Sequence, residues 1–413
     1  VKVAVMGQGY VGFPLAVAAA EAGHEVIAFE PDPQRFEQLR VGVSYIENVP
    51  RKRLGAVLKS GRYWPTREEA RLADFDIAVI AVPTPLKDRL LDLNGVRQAA
   101  ETLARHVRKG TTVILESTTH PGTTRKVVLP ILEALSRLRA GTGFHLGYCP
   151  ERVDPGNERW TLATTPKVVS GLTEECRARV AEFYAGITQK VVLADSLEEA
   201  ELAKVFEDAF RHVNVALVNE LSRVAHLLGV DVRHTLDLAG SKPFGFTKFT
   251  PGSGVSGPSS PVDPVYLSHH VKTGDDEPFR LVELAQQIND GQPAYVVSRL
   301  QDTLNTRHRK ALKDARVLVL GLDRKADADD THQSPAAGVV AELEHRGALV
   351  HTTVPQVAGP VQGRRGRLPY RAYDAVVLLT PHKEFDLTRI AGEAVYVLDV
   401  LGVMPEAAHI ERL

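Results

Sequence analysis

Three glycines, Gly7, Gly9 and Gly12, stand directly between the apolar run Val3 to Met6 and an apolar helical segment that ends near Gly23. After that segment comes a second apolar run, EVIAF, closed by Glu30. A short buried run, a glycine turn, a helix and another run can be accommodated only as a strand–turn–helix–strand unit, and its crossover makes the strands parallel. The glycines permit a tight turn, close approach of a pyrophosphate to backbone N–H groups, and close packing of helix on strand. The helix N-terminus faces the anion. Glu30 falls where a carboxylate accepts hydrogen bonds from a ribose diol and repels a ribose phosphate, so the pattern predicts NAD rather than NADP. Arg35 is near enough to soften that preference, or is a helix-surface charge. Further buried runs at 76–82 (DIAVIAV) and 112–117 (TVILES), separated by helical stretches, predict a doubly wound parallel sheet.

The pattern then changes. Ser196 and Glu199 form a capping box, and no proline or glycine interrupts the chain from there to Gly229, which predicts one long helix. A Gly/Pro/Ser-rich loop, PGSGVSGPSSPVDP (251–264), breaks the helical middle region, and a loop of that length inside a compact protein points to function. Strand runs at 316–321, 375–379 and 394–400, with a helix around 336–346, announce a second α/β domain. The expected fold class is therefore α/β: two Rossmann-like doubly wound parallel-sheet domains joined by a long central helix and a helical dimerisation region. The expected boundaries are 1–195 for cofactor binding, 196–300 for the helical region with the active-site loop, and 301–413 for the nucleotide. The basic stretch GRRGRLPYR (363–371) reads as a solvated loop, with a phosphate contact as the minority reading.

Composition narrows the function. Fifty Lys plus Arg against fifty-one Asp plus Glu leave a formal charge of −1, which argues against nucleic acid as a partner. Two cysteines, Cys149 and Cys176, without a CxxC or Cys/His cluster, exclude a disulfide framework and a cysteine-rich metal site, and suggest a reducing cytoplasm. No apolar run approaches a membrane span, and VKVAVMG reads as a strand rather than an export signal.

Motifs in order along nearly the whole chain resemble the UDP-glucose/GDP-mannose dehydrogenase family, and within it the UDP-N-acetylhexosamine 6-dehydrogenases. They are GQGYVGFPLA (7–16), VPTPL (82–86), ESTTHPGTT (116–124), PERVDPGN (150–157), AELAKVFEDAFRHVNVALVNEL (200–221), KPFGF (242–246) and PVDPVYL (261–267). The resemblance implies a homodimer built on the central helix, and oxidation of a nucleotide sugar's primary alcohol to a carboxylate in two hydride transfers through a cysteine adduct. It implies NAD contacts from Gly7, Gly9, Tyr10, Val11, Gly12, Glu30, Arg35, Val82, Pro83, Thr84, Ser117 and Thr118. It implies substrate contacts from Glu151, Arg152, Val153, Lys204, Lys242, Phe244, Gly245, Phe249 and Gly257. Lys204 and Asp263 match the pair that handles the alcohol proton, Glu151 the acid/base glutamate, and Thr118 the threonine that orders a water.

The sequence departs from that pattern where the chemistry is most exacting. The family's cysteine falls on Ser259, among neighbours that have also drifted: Ser256, Pro258 and Ser260. A hydroxyl needs an adjacent base to become a nucleophile, which this loop does not obviously supply. The family's lysine and asparagine one turn apart become Lys204 and Asp208, so a carboxylate replaces an amide that favoured an oxyanion. Read blandly, the two are a surface ion pair. Near the second domain His332 and Gln333 occupy the places of an Arg and a Glu, and Val400, Leu401 and Gly402 those of Thr-Arg-Asn. The expected function is an NAD-dependent two-electron oxidation of a nucleotide-sugar alcohol to an aldehyde or ketone, or a redox-neutral change using bound NAD. The alternatives are a four-electron 6-dehydrogenase without a covalent intermediate, and a silent NAD- and nucleotide-binding homologue.

Overall fold

The computed structural model describes residues 1–46, 48–87, 90–154, 157, 159–255, 279–322, 334–353 and 369–413. They fall into two compact units, Val1–Asp208 and, from Ala209 onward, the remaining described residues.

The first unit runs β1 (Lys2–Met6), α1 (Gly12–Glu21), β2 (Glu25–Phe29), α2 (Pro33–Arg40), α3 (Arg51–Lys59), β3 (Tyr63–Thr66), β4 (Ile77–Ile80) and a hairpin of β5 (Leu86–Lys87) and β6 (Leu90–Leu91). It continues with α4 (Asn94–Ala104), β7 (Thr112–Leu115), α5 (Leu129–Ser136), β8 (His145–Tyr148), β9 (Lys167–Gly171), α6 (Glu174–Ala185) and β10 (Val191–Leu193). The sheet order is β10-β9-β8-β7-β4-β1-β2-β3. From β8 to β3 the strands are parallel. Strand β9 is antiparallel to β8, and β10 runs with β9, a reversal the sequence pattern did not announce. Both faces are covered, as parallel strands require. Phe13, Leu15, Leu54, Val180 and Phe183 pack on one face, and Val96, Leu103, Leu132 and Phe144 on the other. Each such leucine or phenylalanine contributes about 1.5–3 kcal/mol.

The long helix exists as expected: α7 spans Leu197–Leu227. Its capping box is formed, with Glu199 N–H donating to Ser196 Oγ (3.1 Å) and Ser196 N–H to Glu199 Oε2 (3.3 Å). One turn later the fully buried Glu201 carboxylate accepts from Gly122 N–H (2.5 Å), Thr124 N–H (2.8 Å) and Thr124 Oγ1 (2.6 Å). Glu201 thus caps the helical segment that follows β7 and pins α7 to it.

The second unit holds the rest of α7, then α8 (Val232–Gly240), α9 (Arg280–Asp290), α10 (Gln292–Arg307), β11 (Arg316–Leu320), α11 (Pro335–His345), β12 (Leu349–Thr353), β13 (Ala375–Leu378), α12 (Leu387–Glu393), β14 (Val397–Asp399) and β15 (Ile410–Arg412). Its sheet, β12-β11-β13-β14-β15, is parallel throughout. This is the other common doubly wound order, with the direction of winding reversing between β11 and β13.

Removing the Glu201 side chain leaves two buried N–H groups and a hydroxyl without their acceptor. Glu201→Ala is expected to lower unfolding free energy by about 3 kcal/mol, and Glu201→Gln, which keeps an acceptor oxygen, by about half as much. Urea denaturation measures both.

Candidate active site

The glycine turn leaves β1 at its carboxyl end, beside the point where the sheet order reverses between β1 and β4. Gly7 has φ +90°, and a Cβ there would come within 2.7 Å of the Ala81 carbonyl oxygen. A Cβ on Gly12 would overlap the Gly7 carbonyl. Gly9 is different: nothing lies within 4 Å of where its Cβ would be. One glycine turns the chain, one packs helix on strand, and one leaves the backbone bare toward open space, which is the division of labour a pyrophosphate cradle needs.

The buried Glu30 carboxylate, at the end of β2, accepts from Gln8 N–H and Asp32 N–H, both at 3.0 Å. Tyr45 and Tyr63 hold Gln8 in turn through its carbonyl (2.7 Å) and its side-chain oxygen (3.0 Å). Arg35 lies over the Tyr45 ring, 5.8 Å from its centroid. Val11 precedes α1, and Tyr10 is exposed. At the ends of β4 and β7, Ser117 Oγ donates to the Val82 carbonyl (2.7 Å) and Thr84 Oγ1 to the Thr118 carbonyl (2.8 Å), with Pro83 between. The cofactor residues expected from sequence are thus carried at one edge of one sheet, and their geometry fits NAD.

A second group lies beyond β7 and β8. Glu151 Oε1 accepts from Arg152 N–H (2.7 Å) and Val153 N–H (2.6 Å), and its Oε2 from Lys167 Nζ (2.8 Å). Lys167, only 1% exposed, also pairs with Glu116, which is 0% exposed and accepts from Tyr184 OH (2.9 Å). Burial pushes the Glu116 carboxyl up to about 7, although Lys167 draws it down. Burial acts on Glu151 too, but the Lys167 charge and the N–H donors outweigh it and hold Glu151 below its usual range. Glu116, Lys167 and Tyr184 were not singled out from sequence; the available signal was a lysine opening an otherwise apolar strand.

Arg152 reaches α7, donating to Glu207 from Nε (3.1 Å) and Nη2 (2.5 Å), and to the Pro166 carbonyl (2.8 Å). Its guanidinium therefore ties the Glu151 segment down. On the adjoining turn Lys204 Nζ lies 2.9 Å from Asp208 Oδ2, and the two side chains are only 11% and 5% exposed. The surface-pair reading of Lys204 and Asp208 is thereby corrected. Both thiols are fully buried. Burial drives the Cys149 thiol far above its usual range, and Cys176 receives Thr173 Oγ1 at 3.2 Å.

The second unit has its own crevice, a cavity of about 420 Å³ at the carboxyl ends of β13 and β14. Ser334 to Ala336 at the start of α11, Leu379 to Pro381, Leu401, the 248–254 loop, and Arg211 and Val215 of α7 line it. Phe249 is thus at the cavity, whereas Lys242, Phe244 and Gly245 are exposed and do not line it, Lys242 lying over the Phe244 ring. Asn219 secures the loop, accepting from Gly252 N–H (2.9 Å) while donating to Asn289 (3.0 Å). Val400 accepts from Arg233 (2.8 Å), and a Cβ on Gly402 would strike that guanidinium. Ser256, Gly257, Pro258, Ser259, Ser260, Asp263, His332 and Gln333 lie outside the described residues.

Comparison with known proteins agrees along the chain. Residues 1–188 match the NAD binding domain of the UDP-glucose/GDP-mannose dehydrogenase family, 198–291 its central domain and 318–406 its UDP binding domain. The chain is 34% identical over 410 residues to a UDP-N-acetyl-D-glucosamine 6-dehydrogenase of Pseudomonas aeruginosa, covering 96% of this chain and 95% of that protein. It is 33% identical over 385 residues to a UDP-N-acetyl-D-mannosamine dehydrogenase of Pyrococcus horikoshii, covering 93% and 90%. The solved structure of a UDP-D-ManNAc dehydrogenase from Pyrococcus horikoshii superposes with a TM-score of 0.91 at 30% identity, covering 100% of this chain and 98% of that one.

The glycine geometry separates stability from binding. Gly12→Ala is expected to cost about 1–3 kcal/mol of stability through overpacking. Gly9→Ala, whose methyl enters open space, is expected to leave stability within about 0.5 kcal/mol and weaken NAD at least about tenfold, a loss of ~1.4 kcal/mol. Thermal unfolding and NAD titration by fluorescence read the two apart.

Proposed function

The chain belongs to the UDP-glucose/GDP-mannose dehydrogenase family, and we propose that it is an NAD-dependent oxidoreductase that removes one hydride and one proton from an alcohol of a nucleotide-activated sugar and stops at the aldehyde or ketone. The observation that carries this reading is the lack of an available thiol. Residue 259 is serine, and the two cysteines are buried, Cys149 in a setting that opposes ionisation. A thiolate is the species that captures an aldehyde, so without one the second oxidation loses its covalent route.

Bound at the glycine turn, NAD supplies the hydride acceptor. Gly7, Gly9 and Gly12 hold its pyrophosphate and Glu30 its ribose. The Lys204/Asp263 pair handles the alcohol proton, the Asp263 carboxylate accepting it and the Lys204 ammonium, held by Asp208 at 2.9 Å, stabilising the partial charge that builds on the alcohol oxygen. Glu151, kept ionised, serves as the acid/base carboxylate, and Thr118 orders a water. The nucleotide of the substrate is seated in the second-unit cavity, where Arg211, Lys248 and the start of α11 offer positive ends and Val215, Phe249, Pro335 and Leu401 offer apolar walls. The relatives named above make UDP-N-acetylhexosamines the first substrates to try. A redox-neutral use of retained NADH belongs to the same reading, as does residence in the cytoplasm.

The same proposal includes a homodimer. Leu202, Phe206, Phe210, Leu217, Val224 and Leu227 form one apolar stripe along α7 and all are exposed, Leu217 at 60%. Recurrence at helical spacing on a face that water reaches marks an association surface.

Mass spectrometry of products from a nucleotide-sugar panel with NAD tests the reaction. One NADH per sugar, with a product lighter by two hydrogens, is expected. Two NADH and a uronic acid support the four-electron alternative, and NAD binding without turnover the silent one. Leu217→Glu, at the centre of the stripe, is expected to convert dimer to monomer in sedimentation velocity, weakening association by at least about tenfold, or ~1.4 kcal/mol.

A further inference from the structure

Glu116, Glu151, Lys167 and Tyr184 form a closed set of buried ionisable groups in which one cation serves two carboxylates. Resting on the reading of Glu151 as the acid/base carboxylate, we propose that Lys167 and Glu116 are positioning residues for it. Lys167 holds Glu151 ionised and aimed, while Glu116 carries the one carboxyl proton the set retains and so decides how much of the lysine's charge reaches Glu151.

The placement follows from strand direction. Glu116 immediately follows β7, and Cys149 and Glu151 follow β8. Because β9 is antiparallel to β8, its first residue, Lys167, arrives at the carboxyl end of β8. Tyr184 of α6 closes the set, with Lys167 Nζ 5.4 Å from its ring centroid. With both carboxylates ionised, the group would hold two anions against one cation at sites almost without water. A buried set of that kind sheds its surplus charge by keeping a proton.

The proton's place follows from the donors. Glu151 receives two backbone N–H groups as well as Lys167 and keeps 14% side-chain exposure, so its charge is the better supported. Glu116 has Lys167 and the Tyr184 hydroxyl and no exposure. Burial lifts the Glu116 carboxyl to about 7 and keeps the Cys149 and Tyr184 protons on, so Glu116 is the group that changes state near neutrality. Burial opposes the charge on Lys167, but the two carboxylates overcome it and keep the lysine cationic across the working range. Below neutrality Glu116 is neutral and the lysine serves Glu151 alone. Above it the lysine is divided, and Glu151 becomes more basic.

Infrared pH titration of the full-length protein and of Glu116→Gln, Glu151→Gln and Lys167→Gln tests this without any substrate, alongside kcat/KM profiles on whichever nucleotide sugar is turned over. The wild type is expected to lose a protonated-carboxyl band near pH 7; Glu116→Gln lacks the band, and in Glu151→Gln it persists but is lost at lower pH, because Lys167 then serves Glu116 alone. Lys167→Gln is expected to move the acid limb of kcat/KM, and a Glu151 carboxyl band, up by about one pH unit or more. Glu116→Gln removes the neutral-pH inflection of kcat/KM. Persistence of the band in Glu116→Gln, or a folded Lys167→Gln with its acid limb and Glu151 band unmoved, overturns the proposal. If Lys167→Gln does not fold, the wild-type, Glu116→Gln and Glu151→Gln spectra still decide where the proton sits. Full activity in Glu151→Gln would instead remove the reading of Glu151 as acid/base, while the spectra continue to report on Glu116.

Discussion

Parallel pairing forces each connection to cross back over a face of the sheet, so successive carboxyl ends open on one edge. In the first unit that edge carries the glycine turn after β1, Glu30 after β2, Val82 to Thr84 after β4 and Ser117 to Thr118 after β7. The antiparallel entry of β9 is what lets a strand contribute from its amino end, so Lys167 joins residues that all follow their strands. In the second unit the same constraint, with the winding reversed between β11 and β13, leaves a crevice where the α11 start and the residues after β13 and β14 meet. Each sheet thus makes its crevice from backbone topology, and side chains decide only what the crevice can hold.

The Glu151 segment is held from two directions by charge. Lys167 anchors the carboxylate from the sheet side and Arg152 anchors the next residue to Glu207 on α7. The second anchor is partly solvated, with side-chain exposures of 25% and 39%, so geometry more than energy is its contribution. Its two-pronged form fixes direction, which a lysine in its place would not. Glu201, one turn before Lys204 on the same helix, fixes that helix to the segment beyond Ser117 and Thr118. Thr118, Glu151 and Lys204 therefore sit on elements tied together by buried or half-buried carboxylates.

Local pattern was readable wherever a single element carried the signal. Strands β1, β2, β4 and β7, the capping box and the unbroken α7 could be read because apolar period, glycine spacing and cap chemistry all act within a few residues. Strand β3 reads YWPT, with an exposed tryptophan and a proline at a place where its missing N–H is tolerated, and so lacks the run of branched apolar residues that marks β1. Strands β10 and β15 are three residues each and half exposed. The Glu116–Lys167 pair joins residues 51 apart, a meeting set by sheet order that no local spacing encodes. The same holds for the cavity, whose lining comes from α7, the 248–254 loop, the start of α11 and two strand ends. The glycine fingerprint was legible because one turn contains all of it.

On the proposed chemistry the two departures from the family pattern act in one direction. Capturing an aldehyde on sulfur creates an alkoxide at the carbon under attack, and a site that does this needs both a thiolate and a donor for the new charge. Here a serine stands in place of the thiol, and the helix offers Asp208, a buried carboxylate, where a donor is wanted. Restoring only the thiol would leave the alkoxide facing an anion, and restoring only the amide would leave nothing to form the adduct. Simple alcohol oxidation asks for neither, since the proton leaves as the hydride leaves and no anionic tetrahedral centre builds up. Asp208 even assists there, because a lysine paired with a buried carboxylate stays oriented on its helix while the proton moves. A site altered at both positions is thus internally consistent for one hydride transfer and doubly unsuited to the covalent second.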